Sequence, residues 1–189
     1  RCNLIIQKAQ ESTTLTEGEK AEVIAKGRLL RGLVFFDQAR KMGRFVPMRE
    51  VIATGEEEKA TIPMTKSVEE SYKYVLEDLE ASVSAMPTIA QPGEPTKYAV
   101  EVLLSRAYLT AYAYTKNASY IDKAITYAKD VTENCSLSDN YGGLFNETDE
   151  TNAEILWGYY RLKANTKIGN YEELIRTYPN IAQDDCVNS

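Results

Sequence analysis

The groups in this chain that could do chemistry are carboxylates, aromatic rings and three thiols. The carboxylates gather at Glu69 and Glu70 and again at Glu77, Asp78 and Glu80. Two carboxylates flanking a sugar linkage are the minimum for glycoside hydrolysis, one as acid and one as base or nucleophile. These five fall mainly on the outer face of an amphipathic helical pattern, where a solvated surface is their ordinary role. Glu56, Glu57 and Glu58 are adjacent, and adjacent carboxylates do not converge on one ion without special backbone geometry. The run Asn146-Glu147-Thr148-Asp149-Glu150-Thr151-Asn152 offers oxygens to calcium. It lacks the central Gly and the acid spacing of an EF-hand loop and reads as a polar loop. Cys2, Cys135 and Cys186 cannot all pair and form no CxxC motif. They read as isolated thiols, with a single bridge left open. No catalytic residue, metal site or cofactor is assigned.

Composition narrows the chemistry further. The chain contains no His, which excludes Ser-His-Asp and Cys-His nucleophilic sites and HExxH zinc sites. The net charge of −6 argues against binding nucleic acid or anionic lipid, because both need a basic face. The 13 tyrosines invite two readings. A buried ring whose hydroxyl reaches water suits helix packing. The same flat apolar face with a polar tip also stacks on a sugar ring.

The elements that would position these groups are mostly helical. Hydrophobic residues make up 43% of 189 residues, enough for one ordinary globular core. The opening Arg1-Cys2-Asn3-Leu4-Ile5-Ile6 reads as the middle of a helix, and the chain as a piece of something longer or a processed product. A long helix is expected from Glu19 to Met42. Its stripe is Ala25, Leu29, Gly32, Phe36 and Ala39, with a second row of Leu30, Val34 and Phe35. Gly43 is the expected C-cap, and Pro47 blocks continuation. Val51 to Thr65 reads as loop. Ser67 and Glu70 then form a capping box for a helix whose face runs Val68, Tyr72, Val75, Leu76, Leu79, Val83 and Met86, stopped by Pro87. A third helix, from Thr96 to about Tyr114, is apolar nearly all round and is expected to be wholly buried. A fourth opens near Ser119-x-x-Asp122 with Ile121, Ala124, Ile125, Ala128 and Val131 on one face. Leu137 to Asn152 reads as loop, Glu154 to Tyr160 as a short extended segment, and Arg161 to Ser189 as a polar tail with sparse signals.

The third and fourth helices carry Leu104-Ser105-x-x-Tyr108 and Ala124-x-x-x-Ala128-x-x-Val131. This pair resembles a divergent tetratricopeptide hairpin with a lengthened turn. A wider set of motifs follows in order. They are Ala25-x-x-Arg28-Leu29-Leu30-Arg31-Gly32-x-x-Phe35-Phe36-Asp37, Met42-Gly43-x-Phe45-Val46-Pro47-Met48, the capped Ser67–Glu80 helix and Thr96-Lys97-x-Ala99. Leu103–Leu109, Tyr141-Gly142-Gly143-Leu144-Phe145-Asn146-Glu147 and Glu154-Ile155-Leu156-Trp157 complete it. In this order they resemble the SusD/RagB family of Bacteroidetes outer-membrane glycan-binding lipoproteins, over most of residues 1–160.

The resemblance implies a mainly α fold with little β, a scaffold of tetratricopeptide-like hairpins in an α-α superhelix with irregular loops. Residues 1–160 would be that scaffold and 161–189 the start of a truncated C-terminal subdomain; the family's N-terminal region would also be missing. Such proteins are lipid-anchored on the extracellular face of the outer membrane. They cap a SusC-like TonB-dependent transporter and deliver oligosaccharides, or in some members peptides. They bind and do not catalyse. Ligand contacts come from irregular segments, so the candidate contacts here are Trp157, Tyr171 and Tyr178. Trp157 reads first as a core residue, since an alternating extended segment buries one face. The alternative is a tetratricopeptide-type protein-interaction scaffold with no small-molecule ligand and a concave groove for a peptide.

Overall fold

The computed structural model describes residues 1–53, 55–56, 61–91, 93–142 and 154–158, all within one compact unit. They form five helices and, among the described residues, no strand: α1 (Cys2–Glu11), α2 (Glu17–Met42), α3 (Val68–Val83), α4 (Lys97–Thr115) and α5 (Ser119–Asn134). Each helix packs on the next, α1 on α2, α2 on α3, α3 on α4 and α4 on α5. The chain is therefore mainly α, with helical hairpins joined by irregular connectors.

α2 begins two residues earlier than its apolar stripe suggests. Thr16 caps it: Glu19 N–H donates to Thr16 Oγ1 at 3.3 Å, and Thr16 N–H donates to the Glu19 carboxylate at 2.8 Å. That box satisfies two end donors that would otherwise be orphaned. All five expected stripe residues, Ala25, Leu29, Gly32, Phe36 and Ala39, are buried. Of the second row, Phe35 is buried while Leu30 and Val34 remain exposed. The helix ends at Gly43, whose φ of 74° lets its N–H turn back to the Ala39 carbonyl at 2.9 Å.

Two glycines let α2 sit close to both neighbours. A Cβ on Gly27 would lie 2.9 Å from Ile6 of α1, and one on Gly32 would lie 2.8 Å from Leu79 of α3. Beside Gly32, Arg31 holds Asp78 through two bonds of 2.7 and 2.8 Å and donates to Asn3 at 2.9 Å. Asn3 in turn donates to the carbonyls of Met48 and Glu50. One partly buried cluster thus joins α1, α2, α3 and the connector after α2. That connector is pinched where Phe45 and Thr65 exchange two hydrogen bonds, of 2.9 and 3.2 Å.

α3 carries half of its expected capping box. Ser67 Oγ accepts from Glu70 N–H at 3.1 Å, but the Glu70 carboxylate accepts from Lys66 N–H instead of Ser67. α4 departs from the sequence reading. It buries Val100, Glu101, Leu104, Ala107, Tyr108 and Ala111, while Val102, Leu109 and Tyr114 are about half exposed. α3 and α5 cover two sides of it and leave a third open. The turn to α5 is short, residues 116–118, and not lengthened as the sequence suggests, because Lys116 adopts the left-handed conformation with φ 56°. The N-cap of α5 is Ala118, which offers no side-chain bond, and not Ser119; Asn117 just before it accepts both the N–H and the hydroxyl of Ser119. Its inner face is Tyr120, Ala124 and Tyr127; Ile125 and Ala128 point outward.

The rings explain much of the tyrosine content. Tyr72 stacks on Tyr114 with centroids 5.6 Å apart, and Tyr108 meets Tyr120 at 5.3 Å and Tyr127 at 6.1 Å. Such offset pairs add stability beyond the area they bury. Burial pushes the Tyr72 hydroxyl up to about 12.

Candidate functional site

Irregular backbone meets at the N-terminal head of α4. Thr96 caps α4 by accepting Ala99 N–H at 3.3 Å, and its hydroxyl donates to the Leu156 carbonyl at 3.3 Å. The Trp157 indole N–H donates to the Gly93 carbonyl at 3.2 Å. Ser138 N–H donates to the Glu154 carboxylate at 2.8 Å. These bonds fasten 154–158 to the connector before α4 and to the chain after α5. Residues 155–157 are bends and irregular chain, not the expected extended segment, since their polar groups are taken by loops. Trp157 is 36% exposed and stands outside the core cluster, which corrects the core reading. The tether spans 64 residues, so no local pattern announces it. It holds the indole by its N–H edge and leaves the residue about one-third exposed. Tyr171, Tyr178, Cys186 and the 146–152 run lie outside the described residues.

Directly beneath this platform the first turns of α4 face the last turns of α5. Lys97 donates to Asp130 at 2.6 Å and lies 3.3 Å from Glu101. Asn134 donates to the other Asp130 oxygen at 3.0 Å. Burial, reinforced by a hydrogen bond with Asp130, holds the Glu101 carboxyl above the usual carboxylate range. Asp130 is held below it by Lys97 and then by Glu101. Burial raises the nearby Cys135 thiol. Cys2 and Cys135 carry free thiols.

Two concave surfaces lie elsewhere. A cavity of about 310 Å³ is lined by Pro47, Arg49, Ile62, Lys66, Glu70 and Tyr74. Arg49 sits over the Tyr74 ring at 4.7 Å and donates to Glu77 at 2.8 Å. The sequence reading missed this cavity; an arginine two residues past Pro47, inside an irregular connector, was its only signal. The second is a groove of about 480 Å³ between α2 and α4, lined by Leu33, Val34, Phe36, Arg40, Leu103 and Arg106.

The carboxylates weighed for hydrolysis do not form an acid–base pair. Asp78 is buried against Arg31 and Arg49, and Glu80 accepts from Lys123 at 2.7 Å and from the Tyr108 hydroxyl. Glu69 and Glu77 are exposed. Among the described residues, no group of three His, Cys, Asp or Glu is placed to hold a metal. No described helix is long and apolar enough to cross a membrane.

No protein-family model matches the chain. It is 26% identical over 166 residues to a SusD-like protein of Bacteroides ovatus, a match that covers 82% of this chain and 29% of that one. A SusD-like protein from Bacteroides fragilis superposes with a TM-score of 0.70 and 24% identity, over 82% of this chain and 30% of that one. In sequence and in fold the chain is similar to SusD-like proteins. A further solved structure, with xylogluco-oligosaccharide, superposes at a TM-score of 0.72 with 23% identity, over 82% of this chain and 32% of that one. The chain thus spans about three-tenths of the length of these relatives. Over the aligned residues the fold is the one they share.

Proposed function

We propose that this chain is part of a cell-surface oligosaccharide-binding protein that caps a SusC-like TonB-dependent transporter, and that it binds without catalysing. The observation that carries this reading is Trp157, tethered through its indole N–H to Gly93 and about one-third exposed on irregular backbone. A ring fixed in orientation needs little further ordering when it stacks on a sugar. The solved relative with xylogluco-oligosaccharide supports a glycan as the ligand class. In this reading Tyr171 and Tyr178 are the other candidate contacts, residues 161–189 begin a further subdomain, and the anchored protein faces outward from the outer membrane.

The test is calorimetric titration of the chain with xylogluco-oligosaccharide and a panel of other oligosaccharides. Binding of one class is expected, with about tenfold or greater weakening in Trp157→Ala. Equal affinity in the variant would remove Trp157 from the site, and Tyr171→Ala and Tyr178→Ala test the other two. Hydrolysis of a bound glycan, abolished by one carboxylate substitution, would overturn the non-catalytic reading.

The second reading is a protein-interaction scaffold without a small-molecule ligand. The groove between α2 and α4 favours it, since apolar Leu33, Val34 and Leu103 lie beside exposed Arg40 and Arg106. Peptide capture by this groove with no affinity for any sugar would decide for it.

A further inference from the structure

The cluster beneath the platform lacks a counter-charge. Two carboxyls, Glu101 and Asp130, share one ammonium, that of Lys97. Glu101 is only 3% exposed. Its Oε1 lies 3.3 Å from Lys97, while its Oε2 is buried and finds no donor among the described residues. An ionised oxygen there would lose its water and gain nothing in return. Lys97 Nζ lies 2.6 Å from Asp130 and 3.3 Å from Glu101, so the two carboxyls face each other across one ammonium. A proton on Glu101 turns two facing acceptors into a donor and an acceptor, and brings the cluster to zero net charge.

We propose that Glu101 carries a proton that it shares with Asp130, and that this proton latches the head of α4 to the tail of α5 and tightens the Trp157 platform as the pH falls. The position supports the coupling. Thr96, one residue before Lys97, bonds the Leu156 carbonyl, and Ser138, three residues after Cys135, bonds Glu154.

The direction follows from the two carboxyls. Glu101 is held above its usual value of 4.5, so its contribution is complete below about that pH and is lost as the pH rises through the higher folded value. Asp130 is held below its usual 3.8, so its contribution is present above that and is lost only under stronger acid. The latch is therefore firmest in mild acid. The other groups facing Glu101 keep their charge there. Lys97 is raised by its bond to Asp130, and Tyr127 and Cys135 are raised by burial. α3, the other helix against α4, directs Glu80 to Tyr108 and Lys123.

Trp157 is the single tryptophan of the chain, so its emission reports the platform directly. The 189-residue chain is titrated between about pH 4.5 and 8.5 by tryptophan fluorescence and by urea unfolding. The expected result is a fluorescence transition above the ordinary glutamate range. Across it, the folding equilibrium constant falls by up to about tenfold per pH unit. Glu101→Gln keeps a donor toward Asp130 and cannot titrate, so it shows neither change and resists urea at the alkaline end at least as well. Carbon-13 NMR of labelled glutamate carboxyls reads Glu101 in the unsubstituted chain, whatever the stability of the variant. A pH profile in Glu101→Gln that matches the unsubstituted chain overturns the latch, as does a Glu101 resonance that titrates at or below the ordinary range. The link to ligand rests on the glycan reading. Sugar binding that survives Trp157→Ala sinks Trp157 as a ligand contact and leaves the pH profile standing, so the two failures are distinguishable.

Discussion

The hairpins α2–α3 and α4–α5 are closed by different chemistry. At the first seam the Arg31 fork meets both oxygens of Asp78, and Arg49 adds a contact of 3.3 Å to the same carboxylate. Asn3 takes a further Arg31 donor. Leu79 seats in the notch left by Gly32. At the second seam one lysine serves two acids, and the apolar contact is made by Ala124 and the rings of Tyr108, Tyr120 and Tyr127. A matched ion pair closes one hairpin, and a set of groups one proton short closes the other. The helix count alone would not separate them.

The largest expected effect falls on the first seam. Asp78→Ala leaves Arg31 facing no carboxylate in a largely buried place and Arg49 with Glu77 alone, at a cost of about 3–5 kcal/mol, visible as a lower urea midpoint. An equal loss from Asp130→Ala would erase the distinction between the seams. Thr96→Ala comes next, at about 1 kcal/mol, because it removes the N-cap of α4. It also removes the bond to the Leu156 carbonyl, so Trp157 emission should shift; unchanged emission would uncouple the platform from the head of α4. The smallest effect belongs to Tyr72→Phe. The Tyr72 hydroxyl is buried and has no partner among the described residues. Its removal should leave stability unchanged or raise it by less than about 1 kcal/mol. A loss of about 2 kcal/mol or more would reveal a partner for it.

The scaffold was legible wherever a pattern is local. The α2 stripe, the Gly43 cap and the Ser67 cap follow from spacing and backbone geometry, and the helices stand where those signals put them. The start of α2 was equally local, in Thr16 and Glu19, but apolar periodicity begins too late to find it. The faces of α4 and α5 were not legible, because apolarity does not say on which side a neighbour stands. Ile125 is turned outward while Tyr120 and Tyr127 pack inward, since a tyrosine at the edge of a layer buries its ring and keeps its hydroxyl near water. Of the site, Trp157 could be named from the sequence, but its exposure depends on a carbonyl 64 residues away. Glu101 did leave a trace, as a lone acid in the apolar run Val100-Glu101-Val102, on a helix expected to be buried.

The notches in α2 bear on how such hairpins can be exchanged. Gly27 and Gly32 open on α1 and α3, about 140° apart around the helix, so α2 accepts a different partner on each flank. A helix with side chains at both places could satisfy the same hydropathy and still fit neither neighbour. The two hairpins are therefore not modular parts: α4–α5 transplanted into the place of α2–α3 would keep the repeat pattern and lose the sockets that fix its order in the stack. In this fold the repeat is a shared shape, and each position in it has its own key.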